Sequence, residues 1–215
     1  MNSRIKICGL YRPCDIDFVN ASRPDYIGFV FAKSKRQVTK EQAKLFKEKL
    51  DPGILAVGVF VNEEPEAIAQ LVKDGIIDMV QLHGQETEEY MEKLRKLLKD
   101  SGKKCPFIQA FSVKTEEDVA KACKSSADYI LLDHGAGGTG HSFDWSVIGQ
   151  IDRPFFLAGG LGPDNLKKAM RVGAFALDVS SGVETDGCKD PEKIERCVAM
   201  RRGNSIDENA ACAAE

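Results

Sequence analysis

The chain has 215 residues, of which 43% are hydrophobic, and a formal net charge of −3 at pH 7. This length suits one large domain or two small ones with a sizeable core, and the small negative charge gives no indication of a nucleic-acid partner or a membrane surface. No apolar run approaches membrane-spanning length and the N-terminus lacks a signal-peptide pattern, so we expect a soluble, cytoplasmic protein.

The chain contains seven cysteines, and no two of them form a CxxC pair. An odd, scattered set fits neither a disulfide framework nor a zinc site. We therefore expect reduced thiols, as in a cytoplasmic protein.

Eight short apolar runs, rich in Val, Ile and Phe, alternate with charged stretches along the chain. Such runs are typical of strands covered on both faces. The predicted strands are residues 4–8, 25–31, 54–61, 78–83, 106–113, 128–133, 155–158 and 175–181. Helical spacing of apolar residues predicts helices over residues 39–50, from Ala43, Phe46 and Leu50, and over residues 86–100, from Tyr90, Leu94 and Leu97.

This alternation favours a single (β/α)8 TIM barrel over a doubly wound sheet. We expect the barrel to occupy residues 1–203 and a polar C-terminal tail to follow over residues 204–215. In this fold the active site lies at the carboxyl ends of the strands. Candidate functional residues are therefore those at or just beyond the predicted strand ends.

Cys8 ends the first predicted strand, and Asp133 ends the sixth. Because side chains alternate across a strand, Cys8 faces the barrel interior if Ile5 and Ile7 meet the surrounding helices. A cysteine alone is more often a small buried hydrophobe. A thiol and a carboxyl facing each other across one cavity, however, form a workable proton-transfer pair.

A glycine-rich segment follows Asp133 and matches a dinucleotide-binding pattern at Gly135, Gly137 and Gly140. The match lies late in the chain, and the sequence HSFDW separates it from the next helix-like segment. A loop that approaches a substrate closely is the better interpretation of these glycines.

Two further segments, LAGGLGPDNL and DVSSGVE, follow the last two strands. Barrels of this class often bind phosphate there, through backbone N–H groups. The candidate phosphate ligands are Gly159, Gly160, Ser180, Ser181 and Gly182. Ordinary turns would explain either segment alone, but the two together favour phosphate.

Three more residues are candidate substrate ligands. The guanidinium of Arg36, in the loop after the second strand, could bind a substrate carboxylate with two hydrogen bonds. Gln81 and His83 share the inward face of the fourth strand, although a histidine there is more often a packed hydrogen-bonding residue.

The ordered motifs KICGL, GFVF with SKRQV, GVFVN, VQLHG, LLDHGAGGTGHSFDW, LAGGLGPDNL and LDVSSGVE resemble the phosphoribosylanthranilate isomerase family of tryptophan biosynthesis. The resemblance runs from Lys6 to about Glu184 and covers seven of the eight predicted strands. It implies a cofactor-free and metal-free Amadori rearrangement of N-(5-phosphoribosyl)anthranilate to 1-(o-carboxyphenylamino)-1-deoxyribulose 5-phosphate.

The resemblance also implies roles for individual residues. Cys8 would be the general base and Asp133 the general acid, and Arg36 would hold the anthranilate carboxylate. Asp178 would line the site. Turnover would require an ionised thiol and a protonated acid, so the site would have to lower the pKa of Cys8. We expect a small phosphorylated substrate and a monomer or homodimer.

Four other functions stay open at this point. A histidine-pathway sugar-phosphate isomerase would need an acidic base on the first strand and a glycine-rich loop after the third. A Schiff-base lyase would use Lys6, which lies below the rim. A metal-dependent sugar-phosphate epimerase has little to draw on, since His83, His134 and His141 are the only histidines in the sequence. A catalytically dead barrel could serve as a binding module.

Overall fold

The computed structural model describes residues 3–100, 102–133, 145–149 and 151–203. Its centre is a closed barrel of eight strands, each parallel to its neighbours and arranged in chain order. The strands are β1 (Arg4–Cys8), β2 (Tyr26–Val30), β3 (Leu55–Phe60), β4 (Met79–Leu82), β5 (Phe107–Ser112), β6 (Tyr129–Asp133), β7 (Phe155–Leu157) and β8 (Ala176–Val179). The prediction of a (β/α)8 barrel is confirmed, and each strand lies within its predicted segment.

Helices surround the barrel. Those in the described residues are α1 (Pro13–Ser22), α2 (Lys40–Lys49), α3 (Pro65–Lys73), α4 (Glu88–Lys99), α5 (Glu116–Ala122), α6 (Leu166–Ala169) and α7 (Pro191–Arg201). Short 3-10 helices cover Trp145–Ile148, Met170–Val172 and Ser181–Val183. An antiparallel hairpin of β9 (Glu184–Thr185) and β10 (Cys188–Lys189) follows β8.

Both predicted helices are present. In α2, Thr39 accepts a hydrogen bond from the backbone N–H of Gln42, which satisfies one of the free donors at the helix start. Ala43 and Phe46 are buried there, as predicted. In α4 the buried residues are Met91, Leu94 and Leu98. Leu94 agrees with the prediction, whereas Met91 and Leu98 replace the predicted Tyr90 and Leu97, each one residue further along the chain.

The two faces of β1 have opposite environments. Ile5 and Ile7 belong to the apolar layer between barrel and helices, together with Phe46 of α2. Lys6 and Cys8, which alternate with them, therefore point into the barrel. Below these two residues, apolar side chains fill the interior, including those of Val57, Met79, Ile108, Leu131 and Phe156.

Some sequence predictions lie outside the described residues. These are the glycine-rich segment over residues 135–140, His134, His141 and the tail over residues 204–215. Of the helices that the structure describes, none has both the length and the apolar character that a membrane span requires.

Candidate active site

A cavity of about 390 Å³ opens at the carboxyl ends of the barrel strands. Of the eleven site residues predicted from the sequence, all but one line it. These are Cys8, Arg36, Gln81, His83, Asp133, Gly159, Gly160, Asp178, Ser180 and Ser181. The structure therefore brings predicted residues from six strands, or from the loops that follow them, to one space, as the barrel rule predicts.

The Cys8 thiol lies at the end of β1, where the neighbouring strand leaves room for it. Cys8 pairs with Gly28 of β2. A Cβ on Gly28 would lie 2.6 Å from the Cys8 Sγ, which is closer than such atoms can approach. The position of the thiol therefore depends on the absence of a side chain at residue 28.

A buried ion pair lies one step deeper in the barrel. The Lys6 Nζ donates to the Asp178 Oδ2 at 2.7 Å, and the two side chains are 0% and 7% exposed. Burial alone would lower the pKa of Lys6, but Asp178 and Cys8 together raise it. Lys6 is therefore a protonated ammonium, whereas a Schiff-base lyase needs a neutral amine.

The pKa of Cys8 is shifted in the direction opposite to the one expected from the sequence. Burial raises it, and Asp178 adds to that effect, whereas Lys6 and Lys189 lower it. The net result is an upward shift of the pKa, because burial outweighs the two ammonium groups. The thiol is thus the more stable form at neutral pH.

Asp133 lies beside His83 in the cavity lining. The His83 Nε2 lies 3.9 Å from the Asp133 Oδ2. On the other side of the ring, the Gln81 Nε2 lies 3.0 Å from the His83 Nδ1. If the amide donates, Nδ1 is the acceptor and the proton of a neutral imidazole lies on Nε2, toward Asp133.

Two buried polar atoms at the cavity have no hydrogen-bond partner within the described residues. They are the Gln81 Oε1 and the Asp178 Oδ1. Buried oxygens are normally hydrogen-bonded, so both acceptors are suited to donors that enter with a ligand.

The loops after β7 and β8 lie against each other at the cavity edge. Gly159 and Gly160 both have positive φ, 99° and 62°. Gly182 does not line the cavity; its Cα region abuts the Leu161 carbonyl so closely that a Cβ there would overlap it. Gly182 therefore allows the two loops to meet, and its proposed contact with phosphate stays a prediction.

Arg36 has a partner that the sequence analysis did not identify. Its Nε and Nη2 donate to the Glu184 Oε1 and Oε2, both at 2.7 Å. Glu184 Oε1 also accepts from the Lys189 Nζ at 2.7 Å, and that ammonium donates to the Ser180 carbonyl at 2.9 Å. We call Arg36, Glu184 and Lys189 the rim cluster.

The charges of the rim cluster shift one another's ionisation. The bond to Glu184 raises the pKa of Arg36. Burial alone would raise the pKa of Glu184, but the bonds from Arg36 and Lys189 lower it. Burial lowers the pKa of Lys189, although Glu184 acts against that. Glu184 ends the motif DVSSGVE, so its position in the sequence was visible, but its partners were not.

The sequence and fold are similar to those of known proteins. The family model described as N-(5'phosphoribosyl)anthranilate (PRA) isomerase matches residues 5–200. An N-(5'-phosphoribosyl)anthranilate isomerase from Acetivibrio thermocellus is 46% identical over 199 residues, which cover 88% of this chain and 91% of that protein.

Two solved structures of the same kind of enzyme have a TM-score of 0.80 and 37% identity, covering 94% of this chain and all of theirs. One is a phosphoribosyl anthranilate isomerase in complex with reduced 1-(o-carboxyphenylamino)-1-deoxyribulose 5-phosphate. The other contains monomers generated from the dimeric enzyme of Thermotoga maritima.

Proposed function

The chain belongs to the N-(5'-phosphoribosyl)anthranilate isomerase family, and on that premise we propose that Cys8 and Asp133 carry its isomerisation. It is an enzyme of the aldose–ketose isomerase class. One observation supports the assignment most strongly. A thiol from β1 and a carboxyl from β6 line the same cavity, on opposite sides of the barrel mouth.

Asp133 would donate its proton to the ribose ring oxygen of the bound substrate. The bond between that oxygen and C1′ then breaks, and the anilino nitrogen supplies the electron pair that forms the Schiff base. The Cys8 thiolate would next remove the proton from C2′, leaving an enolamine that becomes the ketone by gaining a proton at C1′ and losing the proton on the C2′ hydroxyl. Both residues take part in general acid–base catalysis, which needs no cofactor.

Cys8 would act from a minor ionised form, because burial raises the pKa of its thiol. The Lys6 ammonium favours that form, since its positive charge lowers the cost of a thiolate at Cys8. Asp178 keeps Lys6 protonated and in place. Lys6 therefore supports the thiolate, and Asp178 limits that support, so the thiol is not fixed in its ionised state.

The substrate's two anionic ends would lie on different sides of the cavity. The phosphate fits the loops after β7 and β8, where Gly159, Gly160, Ser180 and Ser181 line the space with little side-chain bulk. Near the centre, the Gln81 Oε1 and the Asp178 Oδ1 would accept hydrogen bonds from ribose hydroxyls. These are the two buried acceptors described above.

The histidine-pathway isomerase is less well supported. Its second phosphate would need a glycine-rich loop after β3, whereas that segment is Val61-Asn62-Glu63-Glu64. Asn62 has φ of 51°, and its Oδ1 accepts from the Gln85 backbone N–H at 2.9 Å, so its side chain is engaged with the loop after β4.

We propose that residues 1–203 form the catalytic domain and that the protein acts in the cytoplasm as a monomer or homodimer. The six cysteines in the described part of the chain are free thiols, which is consistent with a reducing compartment.

A fluorescence assay that follows loss of the anthranilate-type substrate tests the function directly. The wild-type protein should convert N-(5-phosphoribosyl)anthranilate, and a barrel that only binds ligands would not. Cys8→Ala and Asp133→Asn should each lower kcat by a factor of about 100 to 10,000. Both variants should still bind the reduced product analogue, and raising the substrate concentration should not restore the rate. A change confined to KM would contradict the assigned roles.

A further inference from the structure

Within the described residues, the Arg36 guanidinium makes hydrogen bonds through only one of its two edges. A guanidinium can bind a carboxylate through Nε and one Nη, or through both Nη atoms. Glu184 occupies the first edge, at 2.7 Å to each atom. The second edge consists of Nη1 and the other N–H of Nη2. Because Arg36 lines the cavity, this edge can donate to a ligand there.

Glu184 lies behind Arg36. The lining residues in the described part of the chain include Arg36 but neither Glu184 nor Lys189. The Glu184 side chain is 6% exposed and the Lys189 side chain 0%. Glu184 is therefore sheltered from a ligand in the cavity, and it does not have to be displaced for Arg36 to bind one.

Glu184 is itself held from two sides. In the hairpin, Glu184 of β9 pairs with Lys189 of β10. Asp186 and Gly187 form the turn between them with φ of 53° and 76°, the left-handed geometry that tight two-residue hairpin turns require. The Lys189 carbonyl also accepts from the Arg12 Nη2 at 2.8 Å, which connects the hairpin to the loop after β1.

The aliphatic part of Arg36 is fixed separately. A Cβ on Gly9 would lie 2.5 Å from the Arg36 Cδ, so the stem of the arginine packs directly on the Gly9 backbone. The stem thus rests on the loop after β1, and the head is fixed by the hairpin after β8. Both contacts orient the guanidinium before any ligand binds.

From this geometry we propose that Glu184, held by Lys189, is a positioning residue that presents the second edge of Arg36 to the substrate carboxylate. The inference rests on the proposed function, because it concerns the carboxylate-bearing end of that substrate. It explains why an arginine is needed: a lysine ammonium is a point charge and cannot bridge two carboxylates with fixed geometry.

Glu184→Gln tests the proposal, with Asp186→Asn as the matched control. Both changes remove one negative charge from the same hairpin, but Asp186 is exposed at the turn. Immobilising a long side chain accounts for about a 2- to 10-fold change in affinity. Glu184→Gln should therefore raise KM about 2- to 10-fold with kcat nearly unchanged, and Asp186→Asn should change neither.

A double-mutant cycle with Arg36→Met separates positioning from a general structural role. Arg36→Met alone should raise KM about 10- to 100-fold, because it removes a charge-assisted pair. Adding Glu184→Gln to Arg36→Met should then change KM no further. Independent, multiplying effects of the two substitutions would overturn the proposal, as would a Glu184→Gln variant with wild-type KM.

Calorimetric binding of two ligands gives a test that does not depend on turnover. The ligands are reduced 1-(o-carboxyphenylamino)-1-deoxyribulose 5-phosphate and the same compound without its carboxyl group. Glu184→Gln should weaken binding of the first and leave the second unchanged. Equal weakening of both would refute the positioning role. A wild-type protein that neither turns over substrate nor binds either ligand would refute the proposed function instead.

Discussion

Replacing Lys6 with methionine should destabilise the protein far more than replacing an exposed lysine. The Lys6 Nζ and the Asp178 Oδ2 are 2.7 Å apart, with side chains 0% and 7% exposed. The two residues are also direct neighbours in the register of β1 and β8. Methionine has a volume similar to that of lysine. The main effect of the substitution is therefore to leave the Asp178 carboxylate buried without the Lys6 ammonium.

Breaking one side of a buried pair in this way costs about 3–5 kcal/mol of unfolding free energy. For a chain of this size, each kcal/mol lowers Tm by roughly 2–4 °C. We therefore expect Tm to fall by about 6–20 °C. The pair Lys40–Asp74 provides the comparison, since its side chains are 45% and 33% exposed. Lys40→Met should cost less than about 1 kcal/mol.

Urea unfolding followed by circular dichroism at pH 7 measures both variants. The double variant Lys6→Met/Asp178→Asn should recover most of the loss, because it removes the uncompensated charge. This variant also keeps the test informative if Lys6→Met alone does not fold. The reasoning is refuted if Lys6→Met and Lys40→Met lose similar stability, or if the double variant is the least stable of the three.

The pH dependence of this effect has a definite sign. The pKa of Lys6 is raised in the folded protein from its ordinary value of 10.5. A raised pKa of a cation contributes stability that is fully present below the unfolded-state value and is lost as pH rises through the folded-state value. The difference between wild type and Lys6→Met should therefore be constant near neutral pH and shrink above about pH 10.5.

Two further predictions concern the Cys8 thiol. Gly28→Ala should displace the Cys8 Sγ and lower kcat by about 100-fold. Gly58→Ala is the control: its Cβ would lie 2.7 Å from the Phe60 ring, so it should lower stability without moving the thiol. Equal kcat in the two variants would contradict this prediction. Alkylation of Cys8 by iodoacetamide, followed by peptide mass spectrometry, should have its midpoint above pH 9, because burial raises the pKa of the thiol from that ordinary value. A midpoint below 9 would show that Lys6 outweighs burial.

The barrel could be predicted from the sequence because its strands carry a local signal. Each predicted segment is a short apolar run, and each observed strand lies inside one. The alternation within β1 was equally readable, since Ile5 and Ile7 could only face the helices. In a parallel barrel the carboxyl ends of all the strands lie at one end. Ten of the predicted residues line one cavity for that reason.

The rim cluster could not be predicted in the same way. Arg36 and Glu184 are 148 positions apart in the chain, and no local pattern links them. Charges in a loop or a short hairpin are usually solvated, so Lys189 gave no sign of burial. The sequence TDG does predict a tight turn. Which surface that hairpin covers depends on the closure of β8 against β1, which is a property of the whole barrel.

The distribution of charge explains how one cavity can both bind an anion and keep a thiol near its neutral form. Lys6 and Asp178 beneath Cys8 carry one charge of each sign, so burial dominates and the pKa of the thiol rises. In the rim cluster, two cations share one carboxylate, so a positive charge is left over at the cavity edge. Lys189 lowers the pKa of the Cys8 thiol as Lys6 does, but burial outweighs both, so the thiol stays protonated while Arg36 lines the cavity with its positive charge.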